Sequence, residues 1–74
     1  MQVIVYIEKK ATLAKIFNLP VIGKSLEIFL ESGGTLYLPQ ITRSCFLSDT
    51  VICVYFGEHN YTIELVDNLM NQAV

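Results

Sequence analysis

Residues 11–32, ATLAKIFNLPVIGKSLEIFLES, decide how this chain is read. Their apolar residues fall at helical intervals. Leu13, Ile16 and Phe17 make one short face, and Ile22, Leu26, Phe29 and Leu30 follow at i, i+4, i+7 and i+8. Thr12 is placed to cap the first segment. Pro20 steers Leu19 away from helical backbone and suits the first turn of a new helix. Glu27 and Glu31 fall on the opposite side, and Gly33-Gly34 offers the left-handed conformation that ends many helices. The expectation is a helical hairpin or bent helix laid over a sheet.

Outward from that stretch the pattern changes to strand. Gln2–Ile7 is β-branched and apolar on both faces. Thr35–Ile41 alternates weakly and carries Pro39, which removes a ladder donor and argues for a sheet edge. Thr50–Phe56 is apolar on both faces, as a central strand would be. Tyr61, Ile63 and Leu65 alternate with Thr62 and Glu64. Ser48-Asp49 and Gly57-Glu58-His59-Asn60 supply turns, and a short helix from Leu69 to Ala73 follows a cap at Asp67. The predicted fold is therefore α+β, one domain over residues 1–74. Its order is β-α-α-β-β-β with a terminal short α, and the helical pair covers one face of a mostly antiparallel three- to four-stranded sheet. The last three strands form a meander with Val51–Phe56 in the middle, and the first strand pairs beside the last. That would leave Val3–Ile7 as an edge without the charge or proline that normally protects one. On this reading a V5K substitution disrupts assembly more than folding.

Composition sharpens the question of partners. Hydrophobic residues make up 53% of the chain and charged ones 16%, against about 45–50% and about 25% in ordinary soluble domains. A small domain should lean the other way, because more of it faces water. Part of this apolar surface is expected to end in contact with something. A membrane span is excluded on length, since the longest apolar runs are Val3–Ile7 and Val51–Phe56 and a spanning helix needs roughly 18–20 residues. No secretory leader is recognisable, so a cytoplasmic protein with reduced cysteines is expected. Lys9, Lys10, Lys15 and Lys24 against Glu8, Glu27 and Glu31 leave residues 1–31 at +1. Arg43 against Asp49, Glu58, Glu64 and Asp67 leaves the remainder at −3. Nucleic-acid binding usually needs a basic stripe, and the balance argues against it.

Chemistry-bearing motifs are sparse. Gly23-Lys24-Ser25 matches only the end of a phosphate-binding loop, because Asn18 stands where its first glycine belongs. His59 sits in a predicted turn, without the partnered setting a general base needs. No pair of carboxylates is held in an apolar pocket by its spacing. Asn60-Tyr61-Thr62 is a glycosylation sequon that carries no meaning without secretion. Cys45 and Cys53 lack a zinc-type spacing. Their relation turns on one residue of the loop between them. A two-residue Ser48-Asp49 loop places Cys45 opposite Ile52, whereas a three-residue loop places it opposite Cys53.

These readings converge on a non-enzymatic protein-interaction module with no cofactor and no metal. It would act as an inhibitor or regulator that occludes a partner protein, of the kind mobile elements and phages encode. Its partner would be another protein, a second copy, or both, with a homodimer expected. The candidate contact residues are Val3, Val5, Tyr6, Tyr37, Gln40 and Arg43, with tyrosine favoured for its large rigid face and hydroxyl. The alternative is a homo-oligomer that binds a small ligand at its subunit interface, where Tyr37, Gln40, Thr42 and Arg43 are the nearest polar candidates.

Overall fold

Alternation with a period of two runs through most strands of the described residues once each side chain is assigned to a face. A computed structural model of the protein describes residues 1–66, and they form an all-β domain. Its strands are β1 (Gln2–Ile7), β2 (Lys10–Lys15), β3 (Leu26–Leu30), β4 (Thr35–Leu38), β5 (Arg43–Phe46), β6 (Val51–Phe56) and β7 (His59–Leu65). They pair antiparallel throughout, in the order β4-β3-β2-β1-β7-β6-β5. The α+β expectation is overturned, because the described residues contain no helix. The expected helix Leu69–Ala73 and its Asp67 cap lie outside the described residues.

Two local features turned a strand pair into an apparent helical pair. The β1–β2 connection is a two-residue hairpin loop, Glu8-Lys9, flanked by the facing pair Ile7 and Lys10. Both loop residues have positive φ, 51° and 69°, as a type I′ turn requires. Such turns are normally marked by Asn-Gly or Asp-Gly, and this one carries no such signal. After it, Ala14 and Ile16 are buried while Leu13, Lys15 and Phe17 are exposed. In β3, Leu26 and Ile28 face inward, with Leu30 half-buried beyond them. Leu26 and Leu30 fit a period of two as well as a helical one. Gly33, at φ 115°, turns the β3–β4 hairpin instead of ending a helix.

The expected pairing of β1 with β7 is found. The expected three-strand meander is not: β6 lies between β7 and β5, a strand the sequence reading did not foresee, whereas Thr35–Leu38, expected beside β6, pairs with β3 instead. β4, which Pro39 follows directly, is at one edge of the sheet. β1 itself is not an edge: β2 and β7 flank it, and Val3 and Val5 are fully buried.

The sheet is forced to curl. Its two edge strands, β4 and β5, are consecutive in the chain, joined only by Pro39–Thr42. Six interstrand steps of about 4.8 Å would hold the edges of a flat sheet roughly 29 Å apart, whereas Leu38 to Arg43 can span at most about 18 Å. The result is a half-barrel whose link is pinned on both sides. Ile41 N–H donates to the Lys24 carbonyl and its own carbonyl accepts from Gly23 N–H, at 2.9 and 2.8 Å, while Thr42 N–H donates to the Tyr55 carbonyl at 2.9 Å. The Ile41 side chain is fully buried with Val3, Val5, Ile16, Ile28, Leu38, Ile52, Val54 and Ile63 inside the curl.

Two outcomes test this frame. Val5→Lys buries an ammonium in the centre of the core and should lower stability by about 3 kcal/mol or more in urea unfolding. A folded variant that had lost only self-association would restore the edge-strand reading. Replacing Glu8-Lys9 by Asn-Gly should stabilise the fold by about 1 kcal/mol, a few degrees in Tm; an unchanged or lower Tm would speak against a left-handed conformation at both positions.

Candidate docking surface

The connection from β2 to β3, residues 16–25, is the longest between strands of the described residues. It carries an apolar sequence on the outside of the molecule. Phe17, Leu19, Val21 and Ile22 are 68, 44, 52 and 60% exposed, which places four large apolar side chains in water within six residues. A connection of this kind is held at ordinary cost only if its backbone is paired. Here the base is tied to the sheet. Lys24 N–H donates to the Val21 carbonyl at 3.0 Å and closes a tight turn, and the Gly23 and Lys24 backbone bonds to Ile41 fix that turn to the link. Gly23 takes a φ of 87° there, a conformation that L side chains rarely adopt. At the other end Ile16 is buried, and its N–H and carbonyl bond to the carbonyl and amino group of Met1.

The loop continues onto the outer face of the sheet. Phe17 meets Phe29 of β3 edge to face, with ring centroids 5.5 Å apart, a geometry the ring quadrupoles favour. Phe29, Glu27 and Lys15 share that face with Thr35 and Tyr37 of the edge strand. A cavity of about 330 Å³ is lined by Asn18, Leu19, Val21, Lys24 and Ser25, and a smaller one of about 100 Å³ lies between Phe17 and Phe29, bounded by Glu27. The only charged side chain of residues 16–25 is Lys24. The Gly-Lys-Ser sequence does not cradle phosphate, because the Gly23 and Lys24 N–H groups are taken by carbonyls.

The six residues singled out from the sequence are dispersed. Val3 and Val5 are core. Tyr6 lies on the outer face of β1 and donates from its hydroxyl to Glu64 Oε1 at 3.1 Å. That hydrogen bond, and then the carboxylate's charge, raise its phenol above the usual tyrosine range. Tyr37 faces outward beside Glu27 on β4, 54% exposed. Gln40 is exposed on the link, and Arg43 lies on β5 with its guanidinium 5.3 Å from the Tyr55 ring. Sequence reasoning did not select Phe17–Ile22. Its signal was an apolar segment interrupted by Pro20 and ended by Gly23, which an assigned helical pair had absorbed.

Elsewhere, His59 is exposed at the start of β7. It lines an open groove of about 450 Å³ between the hairpin tips with Glu8, Lys9 and Asn60. Among the described residues no polar or charged side chain is buried, and no three His, Cys, Asp or Glu residues cluster as metal ligands would. No helix among them is long and apolar enough to cross a membrane.

No protein-family model, curated protein or solved structure matches the chain. The α+β description falls with the helices, and no feature of the all-β domain specifies an inhibitor, a phage origin or an oligomer.

The Tyr6–Glu64 contact gives a direct check on the outer face. A raised phenol pKa means that any stabilisation from the protonated hydroxyl is complete below about pH 10 and is lost as pH rises through the folded value. Glu64→Gln removes the charge, so ultraviolet titration should show one tyrosine ionising at lower pH than in the parent. An unchanged titration would mean that the contact does not form in solution.

Proposed function

We propose that this domain is a non-enzymatic protein-docking module that receives a partner protein on the Phe17–Ile22 loop and the adjoining outer face of β3. One observation carries the reading: four large apolar side chains exposed within six residues, on a backbone fixed to the sheet at its base. A loop anchored at both ends loses less freedom when it is covered than an untethered segment would, so its apolar area contributes more fully to association. Phe17, already stacked on Phe29, is the natural anchor, since aromatic side chains in well-packed surroundings dominate interface energetics. Lys24 at the loop's end favours a partner that flanks its apolar segment with a carboxylate.

The fold supports this reading in a second way. The inner face of the sheet is consumed by the core, so the 53% hydrophobic content must also be carried by outer positions. The loop is where they concentrate. Tyr37, from the original set of candidates, adjoins this surface on β4, whereas Arg43 belongs to a separate group on β5.

A photo-crosslinking residue placed at Ile22, in the cells that make the protein, should trap one defined protein. The same residue at Glu58, in the β6–β7 turn, should not trap it. Phe17→Ser should weaken the crosslink at least tenfold while shifting stability by no more than about 1 kcal/mol, because the side chain is mostly exposed. Crosslinks to lipid or nucleic acid alone, or equal yields from both positions, would sink the proposal.

A further inference from the structure

The β5–β6 hairpin closes through Ser48–Thr50, with Leu47 N–H donating to the Val51 carbonyl at 2.7 Å. This three-residue loop settles the register that the sequence left open: Cys45 stands directly opposite Cys53. Facing residues of antiparallel strands have Cα atoms about 4.5–5.5 Å apart, inside the roughly 4.4–6.8 Å that a disulfide spans. Both cysteines are free thiols here, Cys45 half-buried on an edge strand and Cys53 buried beneath it. Side chains of facing residues share a face, so both point to the outside of the sheet together with Arg43 and Tyr55.

We propose that Cys45 and Cys53 form a reversible thiol–disulfide site, oxidised by exchange with a small disulfide of the glutathione class. Cys45, the more accessible of the two, is the attacking residue. Its thiolate bonds to one sulfur of the small disulfide and expels the other as a thiolate, which leaves a mixed disulfide on Cys45. Cys53 then gives up its proton and attacks the Cys45 sulfur. The Cys45–Cys53 bond forms and the second small thiolate departs. The two protein thiols lose two electrons in total, the small disulfide gains them, and the two released protons end on the two small thiols.

The surroundings suit the exchange. Arg43 sits beside Cys45 in the next outward position of β5, a cation suited to the carboxylates of a glutathione-class molecule. Tyr55 occupies the next outward position of β6 after Cys53. Hydrogen bonding to Cys53, then its charge, raise the Tyr55 phenol above its usual range. The new bond would tie edge strand β5 to β6 beside the link that closes the sheet. This site is separate from the docking loop and does not depend on it.

The test is equilibration of the intact protein in glutathione buffers from fully reduced to fully oxidised, read by intact mass and peptide mapping. The expected product is a monomer two hydrogens lighter, with Cys45 joined to Cys53, a Tm higher by roughly 5–15 °C, and full return on reduction. Cys53→Ala should instead stop at the glutathione adduct on Cys45. Cys45→Ser, at the more exposed position, should react far more slowly at Cys53 than the parent does at Cys45; it also serves if the alanine variant fails to fold. Free thiols throughout the oxidised buffers would overturn the proposal, as would a parent protein that ends as a stable glutathione adduct or an intermolecular dimer.

Discussion

Everything in this fold depends on a connection that is too short for a flat sheet. β4 and β5 lie at opposite edges of one antiparallel sheet, yet only Pro39–Thr42 separates them. The chain therefore bends the sheet around itself, and Ile41 is the side chain that the bend drives inward. Its backbone pairs with residues 23–24 on one side, and that of Thr42 pairs with Tyr55 on the other. The same few residues join the two edges of the half-barrel, supply a fully buried core side chain and anchor the β2–β3 loop. A core mutation at Ile41 would act on all three at once, which sets it apart from other buried isoleucines.

Curling also explains how one sheet of this size can be stable alone. An open sheet has two exposed faces and two exposed edges, whereas a half-barrel packs one face against itself. The buried aliphatic cluster runs across the sheet from Leu38 to Ile52 without a second layer. Edge protection remains partial. β4 and β5 are four residues each, and Pro39 follows β4 directly, short and proline-ended in the manner that limits unwanted pairing.

Several parts of this architecture were legible in the sequence, and the reasons are physical. β1, β6 and β7 announce themselves by β-branched content and alternation, and Pro39 marks an edge because a missing N–H is tolerated only there. The helical pair was misread where two periods coincide. Leu26 and Leu30 serve either pattern, and the turn that should have arbitrated, Glu8-Lys9, contains neither Asn nor Gly. Gly33-Gly34 was equally ambiguous, since helix ends and hairpin loops both need a residue at positive φ. The candidate site suffered from the same error. Once Leu13, Ile16 and Phe17 are placed on one helical face, Phe17 is counted as core. On a strand, Ile16 turns inward and Phe17 is left in water. The cysteine pair was legible only as a conditional, because a single residue of loop length decides whether two side chains meet or point to opposite faces.

The high apolar content can now be apportioned. Aliphatic residues of β1, β3, β6 and β7 fill the inside of the curl, which is what a small domain without a disulfide needs. Phe17, Leu19, Val21 and Ile22 contribute nothing comparable to that core, for they are the largest group of exposed, large apolar side chains close together in the sequence of the described residues. Loop residues chosen only for connecting two strands would be polar, since covering them from water brings the fold no return. The two ends of the loop are nonetheless fixed, Ile16 by bonds to Met1 and Gly23-Lys24 by bonds to Ile41. Fixed loop ends together with exposed apolar area are a combination that association would reward and that folding does not explain.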